Sequence, residues 1–292
     1  MPEPSSPTVR RKRLAAELRR LRERADLTGE HVADQMKWSA SKLSRIENAH
    51  TTPRASELKK LLLLYEVDGQ FAEDLVALAQ EANRKGWWKA YSDALPDAHV
   101  GYIGLEAEAT SSYLWAPEVV AGLLQSEGYA REIIRIPLTG PTGPSVPPGE
   151  IERMVEARLF RQKILKREPP FELSVVLDHS VLRRRIGSDK VMSQQLDQLL
   201  EVSDYSNVTL RILPLDAFHP IITGGFNLLR FGEVHDVGYH DIVYIEHFTD
   251  IVYIEAERDT YTYLVGFERL CAASLDVAKS RDEIKKAKAA WT

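Results

Sequence analysis

The side chains best suited to binding another molecule lie between residues 28 and 54, where small polar and basic residues recur at helical spacing. Arg45 carries a planar guanidinium that can donate two parallel hydrogen bonds to a guanine edge, and Lys42 offers a cation to a phosphate. Hydroxyl groups in the same stretch can bind phosphate oxygens or base edges. The pattern indicates recognition of nucleic acid, and we expect these residues to contribute: Thr28, Ser39, Ala40, Ser41, Lys42, Ser44, Arg45, His50 and Arg54.

Two short helices are needed to hold these side chains. Residues 28–48, TGEHVADQMKWSASKLSRIEN, divide into two amphipathic segments, and Thr28 and Ser39 are suited to cap them. The inward-facing positions are Val32, Ala33, Met36, Leu43 and Ile46. Such a pair is typical of a helix-turn-helix, whose second helix enters the DNA major groove, although a purely structural helical hairpin is the alternative.

The stretch from Leu27 to Ala49 resembles Xre-type (repressor/Cro-like) DNA-binding domains. The family pattern LTQEELAxxLGxSxxxxSRIExG is similar to LTGEHVADQMKWSASKLSRIENA in this chain. The resemblance implies a five-helix domain that binds an inverted repeat in double-stranded DNA as a homodimer. Two positions depart from the pattern, because Lys37 replaces the turn glycine and Gly29 replaces a glutamine that often contacts the DNA backbone.

The flanking sequence supports a helical domain over residues 13–86. Apolar residues at helical spacing predict one helix before the motif and two after it. Residues 1–12 are predicted as a basic flexible tail. The run Arg10-Arg11-Lys12-Arg13 is then either a solvated segment or an arm that contacts the DNA backbone or minor groove.

Charge separates the two halves of the chain. Residues 1–86 carry 16 Lys and Arg against 13 Asp and Glu, a net charge of +3, whereas the remaining residues carry 22 against 30, a net charge of −8. This asymmetry is expected if only the first part meets phosphate.

Composition also bears on the class of protein. Cys271 is the only cysteine, no apolar run is long enough to span a membrane, and no signal peptide is recognisable, so we expect a cytoplasmic, nucleoid-associated protein. Motifs for nucleophilic catalysis or phosphate binding are missing, and the spacing of His219, His235, His240 and His247 matches no metal motif. We therefore expect no catalysis, cofactor or metal, with an enzyme carrying a fused DNA-binding domain as the alternative.

Residues 87–292 are predicted to form an α+β domain with an antiparallel sheet. We expect helix from 94 to 136, a Pro/Gly loop over 137–149, helices at 150–167 and 188–202, and one last helix at 258–290. Strands are expected at 171–177, 208–213 and 226–231. The hexapeptide DIVYIE occurs at 241–246 and again at 250–255, which predicts an antiparallel hairpin.

This second part resembles the C-terminal domain of actinomycete WhiJ-like and Scr1-type regulators. The phrases that carry the resemblance are GWW at 86–88, LE at 105–106, GLLQ at 122–125, YAR at 129–131 and NVTLRILP at 207–214. The resemblance implies regulation of transcription, with a small partner protein encoded nearby in some members and an antitoxin-like role in some pairs.

A group of aromatic and polar side chains near the expected domain junction could line a ligand or partner surface. The alternative is that the aromatic rings only hold the two domains together. The residues are Trp87, Trp88, Tyr91, Glu106, Tyr113, Trp115 and Gln125.

Overall fold

A computed structural model of the chain describes residues 7–83, 86–95, 97–139, 146–221, 224–234, 237–247 and 250–291. The chain forms two compact units. The first comprises Met1–Lys89, Val100–Glu108 and Phe231–Tyr239, and the second comprises Ala90–His99, Ala109–Arg230 and His240–Thr292.

Five helices form most of the first unit, as the sequence predicts. They are α1 Pro7–Arg24, α2 Gly29–Met36, α3 Ala40–Glu47, α4 Ala55–Leu64 and α5 Gly69–Glu81. Each helix contributes apolar side chains to one core, because its apolar residues recur every three or four positions. The core includes Leu14, Leu18, Leu21, Val32, Leu43, Ile46, Leu58, Leu61, Leu62 and Leu75.

The first helix begins earlier than the sequence indicates. Residues 7–12, predicted as part of a flexible tail, form the first turns of α1, and residues 1–6 lie outside the described part of the chain. Val9 is fully buried, so the apolar face of the helix extends back beyond Leu14. Arg10 forms ion pairs with Glu81 (2.6 Å) and Glu108 (3.1 Å). The basic run is therefore held in a helix by burial and by carboxylates that neutralise part of its charge.

Left-handed residues end the first four helices. Asp26, Lys37, Ala49 and Glu66 have φ values of 56°, 53°, 58° and 57°. A residue in this conformation lets the chain leave the helix in a tight turn, but a side chain with a Cβ makes it unfavourable. Lys37 directly follows α2 and adopts this conformation despite its side chain.

A segment from far downstream completes the core of the first unit. Val234 and Val237 form an isolated antiparallel bridge, and both pack against the helical core, where Val237 is 4% exposed. The Arg13 guanidinium donates a hydrogen bond to the Val237 carbonyl (2.7 Å) and lies over the Tyr239 ring. Burial lowers the pKa of Arg13, so this carbonyl is an acceptor for a largely desolvated cation. The helical unit thus depends on residues more than 200 positions away.

The second unit contains a six-stranded sheet in the order β3-β2-β1-β4-β5-β6. The strands β1, β2 and β3 are parallel to one another, whereas β4 is antiparallel to β1 and β5, and β6 is antiparallel to β5. The α+β class is confirmed, but the sheet is mixed, since helical crossovers return the chain to the same end before β2 and β3. The strands are β1 Ser111–Ala116, β2 Glu172–Asp178, β3 Val208–Leu213, β4 Phe226–Arg230, β5 Ile242–Glu246 and β6 Ile251–Ile254.

The strand β1 corrects the expectation of continuous helix from 94 to 136. Its sequence, SSYLWA, pairs with neighbours on both sides and has side chains at least partly buried on both faces, so it lacks the polar–apolar alternation of a half-exposed strand. The other predicted strands and the DIVYIE hairpin are confirmed within one or two residues.

The described residues form six further helices. Most of α6 (Asp97–Glu108) belongs to the first unit, which includes its residues 100–108. The other five accompany the sheet: α7 Glu127–Thr139, α8 Pro148–Arg161, α9 Asp189–Val202, α10 Glu257–Ala273 and α11 Val277–Lys288. The single last helix expected over 258–290 is divided, because Asp276 caps α11 by accepting a hydrogen bond from the Lys279 amide (2.8 Å). The expected loop at 137–149 is shorter, and its residues 140–145 lie outside the described ranges. Within those ranges, no helix is both long and apolar enough to cross a membrane.

Replacing Lys37 by glycine should stabilise the first unit by about 1 kcal/mol, because glycine adopts the left-handed conformation without the steric cost of a Cβ. Amide hydrogen exchange in α2 and α3 would measure the change. As the matched control, Lys60→Gly inside α4 should destabilise the same unit by about 1 kcal/mol. If amide exchange slows in neither α2 nor α3 of the Lys37→Gly protein, the left-handed conformation of Lys37 is not a source of strain.

Replacing Val237 by alanine should lower the free energy of opening of the first unit by roughly 1–3 kcal/mol, because it removes apolar contacts and leaves a cavity. The readout is hydrogen exchange of α1 and α5 amides in the full chain. Val265→Ala, at a half-exposed position of α10 in the second unit, is the control and should leave these amides unchanged. Equal protection in the Val237→Ala protein and the wild type would show that the downstream segment does not support the helices.

Candidate nucleic-acid interface

Side-chain caps begin both helices of the motif, as the sequence predicts. The Thr28 hydroxyl accepts a hydrogen bond from the His31 amide at the start of α2, and the Ser39 hydroxyl accepts one from the Lys42 amide at the start of α3, each at 3.2 Å. These caps satisfy amide groups that have no partner inside the helix. They fix the positions at which the two helices begin.

A turn of three residues connects α2 to α3. The amide of Trp38 donates to the carbonyl of Ala33 (2.8 Å), and the amide of Lys37 donates to that of Asp34 (3.0 Å). Ala33 is 4% exposed and lies on the buried face of α2. A small side chain at this position suits two helices that contact each other closely, and the short turn leaves little freedom in the direction of α3.

The outward face of α3 carries the predicted base-contacting residues. Ala40, Ser41, Ser44 and Arg45 are all exposed, whereas Leu43 and Ile46 are buried. In the described part of the chain, no side chain forms a hydrogen bond or ion pair with the Arg45 guanidinium. An exposed arginine on this face can present both nitrogen donors to a guanine.

Lys42 occupies a different environment from Arg45. Its ammonium forms an ion pair with Glu57 (2.5 Å) and lies 4.3 Å from the centre of the Trp38 ring. The hydrogen bond from Lys42 lowers the pKa of Glu57, so the carboxylate remains ionised at neutral pH. Phosphate contact by Lys42 stays a prediction. The ammonium has three donors, so it can share them between Glu57 and a phosphate.

The remaining predicted contacts surround α3. Thr28, His50 and Arg54 are exposed, and Arg54 directly precedes α4. The nearby Glu47 carboxylate is neutralised by a two-point pair with Arg22 (2.8 and 3.1 Å). Arginine on an exposed helix start can bind a phosphate together with the free amides of that helix.

Sequence reasoning missed two residues at this interface, Glu57 and Trp38. Glu57 also accepts a hydrogen bond from the Arg54 amide (3.1 Å), which closes the start of α4. The three-residue spacing between Arg54 and Glu57 is that of a capping box and could have indicated this role. The contact of Lys42 with the Trp38 ring has no sequence signal, since it depends on the turn geometry.

Two family models match the chain. A family model described as a helix-turn-helix domain matches residues 13–75, a range that contains every predicted DNA-contacting residue. A second model, described as a domain of unknown function, DUF5753, matches residues 101–286, nearly two thirds of the chain. The chain belongs to the DUF5753 family. No curated protein and no solved structure matches it. The helix-turn-helix domain supports a DNA-binding regulator.

Three residues of the predicted ligand surface of this DUF5753 protein belong to the first unit. Trp87 and Trp88 pack edge to face with ring centres 5.9 Å apart. Glu106 is buried and accepts a hydrogen bond from the Tyr102 hydroxyl (2.7 Å).

The other four belong to the second unit. Tyr113 and Trp115 lie on β1 and join one apolar cluster, in which Tyr113 contacts Phe267. Tyr91 lies under the Arg153 guanidinium. Gln125 is buried and donates to the Val120 carbonyl (2.7 Å). The four side chains therefore lie at three different places within the unit, and of them Tyr113 and Trp115 lie in the same apolar cluster.

Gln125 also reveals a charged residue that the sequence did not single out. Its side-chain carbonyl accepts a hydrogen bond from Arg158 on α8 (2.8 Å). Burial, together with the charge of Arg161, lowers the pKa of Arg158 to about 10. The two partners are 33 positions apart, so no spacing rule could have paired them.

The histidines are dispersed. The rings of His219 and Trp115 lie 5.5 Å apart, and His240 pairs with Glu255 (3.0 Å). His235 is outside the described residues. Among the residues that are described, no group of three or more histidine, cysteine, aspartate or glutamate side chains is arranged to hold a metal ion.

Replacing Arg45 by alanine should remove about 1–3 kcal/mol of preference for the operator over an unrelated duplex, because a guanine edge loses its bidentate partner. Competition binding with an operator recovered by selection from random duplexes would measure this. Lys42→Ala should weaken both duplexes equally, and Arg185→Ala, an exposed arginine of the second unit, should change neither. Equal weakening of both duplexes by Arg45→Ala would refute the assignment of Arg45 to base recognition.

Proposed function

We propose that this protein is a sequence-specific transcriptional regulator of the Xre type, related to WhiJ-like regulators, which binds an inverted-repeat operator as a homodimer. The observation that carries the proposal is the capped α2–turn–α3 pair with its exposed polar face, on which Arg45 forms no hydrogen bond or ion pair with any described side chain. It acts by binding, in the cytoplasm at the nucleoid, and the binding at this site requires no cofactor.

Charge supports a division of labour within the chain. The net charge is +3 over residues 1–86 and −8 over the rest. Phosphate binding depends on cations, so the first part supplies the DNA contacts and the acidic part contributes few. The second part serves dimerisation and receives a signal, either a ligand or a small partner protein encoded nearby.

Dimerisation follows from the size of the reading surface. A single recognition helix contacts only a few base pairs, and two-fold symmetry doubles the contact on an inverted repeat. The resemblance of the second part to WhiJ-like regulators suggests a repressor that controls its own operon in an antitoxin-like pair.

The full chain is the appropriate sample for a test. The hydrogen bond from Arg13 to the Val237 carbonyl shows that the first unit includes residues from far downstream. DNA fragments of the host genome captured by the purified protein should share an inverted repeat. The mass of the complex on this duplex should correspond to two protomers, and inactivating one half-site should weaken binding at least tenfold. Capture of fragments without a shared sequence would refute sequence-specific regulation, and one protomer per duplex would refute the dimer alone.

A further inference from the structure

The strand β6 forms one edge of the sheet in the second unit. Among the described strands, it pairs with β5 alone. Its four residues, Ile-Val-Tyr-Ile, are half-buried and include no charge and no proline. An apolar edge strand without these protective features is a template for pairing with another strand.

The opposite edge, β3, is covered by the protein itself. The Ile212 amide donates to the Ser280 hydroxyl of α11 (2.9 Å), and the Ile212 carbonyl accepts from the Leu275 amide (2.9 Å). The outer edge of β3 is therefore occupied near its C-terminal end. The contrast singles out β6 as the edge at which the sheet can be extended.

The repeated hexapeptide shows which sequence β6 accepts as a neighbour. Both β5 and β6 lie within a DIVYIE sequence, and they pair antiparallel with Tyr244 opposite Tyr253 and Val243 opposite Ile254. The tyrosine of one hexapeptide therefore faces the tyrosine of the other, and the valine of each hexapeptide faces the second isoleucine of the other. The segment is thus complementary to itself in an antiparallel arrangement centred on tyrosine.

The hydrogen-bond alternation places Ile251 on the outer edge. The His247 amide donates to the Asp250 carbonyl (2.8 Å), so these two residues form a hydrogen-bonded pair. Because such pairs alternate along an antiparallel ladder, Val252 and Ile254 also face β5, and the backbone groups of Ile251 face away from it. The Ile251 amide accordingly donates to the exposed Asp250 carboxylate (2.7 Å) and not to β5. This solvent-exposed local bond can be exchanged for one to an added strand.

We propose that β6 is the dimerisation edge and pairs antiparallel with β6 of a second copy, with Tyr253 on the two-fold axis. In this register Ile251 lies opposite the partner's Glu255, and Val252 lies opposite the partner's Ile254. The residue partners are those of the β5–β6 hairpin, with the second copy supplying the DIVYIE strand. Tyr253 lies in a non-hydrogen-bonded pair in the hairpin and forms a hydrogen-bonded pair at the two-fold axis, because its amide and carbonyl face away from β5. The inference rests on the proposed homodimer and specifies its surface.

The arrangement closes the exposed edge and extends the apolar core. Ile254 packs against the cluster that contains Phe267, and Val252 shares its face of the strand, because side chains alternate along β6. On the other face, the Tyr253 ring packs against Tyr244 with centres 5.7 Å apart. Addition of a strand covers half-buried apolar groups on both faces, while the ladder continues across the two-fold axis.

A charge-exchange experiment on the full-length protein tests the surface. Tyr253→Lys and Tyr253→Glu each place like charges opposite one another at the axis, so each should raise the dissociation constant of the dimer about tenfold or more. An equimolar mixture of the two variants should restore dimers, because opposite charges then meet. Sedimentation velocity gives the mass, and circular dichroism verifies that both variants are folded. Phe218→Lys is the matched control, since Phe218 is 84% exposed and follows β3 at the opposite edge.

Disulfide formation gives an independent measurement of the register. In a Cys271→Ser background, Tyr253→Cys should crosslink two copies, because paired residues facing each other across the axis are about 5.5 Å apart between Cα atoms. Val252→Cys should not crosslink, since the two copies of residue 252 are offset along the strands by more than a disulfide spans. Preferential crosslinking through Val252→Cys would overturn the tyrosine-centred register.

The remaining outcomes separate this inference from the proposed function. A wild-type chain that is monomeric at micromolar concentration, with and without operator, would overturn both the homodimer and the β6 edge. Wild-type dimers that persist in both Tyr253 variants would overturn the edge alone. Monomeric variants that remain monomeric when mixed, together with no crosslink at Tyr253, would also overturn the edge and leave DNA binding untouched.

Discussion

The short turn between α2 and α3 is the constraint on which the DNA-binding surface depends. Three residues must reverse the chain, and Lys37 accepts a left-handed conformation to do so. The burial of Ala33 and the two side-chain caps then fix the direction and the starting point of α3. Because these features determine which side chains face outward, Arg45 is exposed and Leu43 is buried.

The same unit depends on contacts that are distant in sequence. Arg13 is buried with its guanidinium on the Val237 carbonyl, and Val234 and Val237 complete the helical core. The stretch that carries these valines connects β4 to β5, so its two ends continue directly into the sheet of the second unit.

The topology of the sheet explains why its two edges differ. Helical crossovers precede β2 and β3 and place these strands parallel to β1, and the chain that follows α10 covers β3. The outer strands β4 to β6 are connected without helices and end in a hairpin that nothing else in the sheet extends. The mixed sheet is therefore protected at one edge and open at the other.

Local patterns in the sequence determined the parts of this protein that rely on neighbouring residues. The caps at Thr28 and Ser39, the apolar stripes of the five helices and the DIVYIE hairpin are each specified within a few positions, so periodicity and turn chemistry were sufficient. The helix-turn-helix and its exposed face could be predicted for the same reason.

Tertiary structure decided what depends on distant partners. The strand β1 was read as helix because central burial removes the alternation that marks a strand, and the break before α11 depends on one capping aspartate. The ion pair of Lys42 with Glu57 had no signal in the sequence, because the packing of α4 against the motif brings this carboxylate close. The pairing of Arg13 with Val237 spans more than 200 residues, and no local rule relates such positions, since burial of the guanidinium is decided by the complete core.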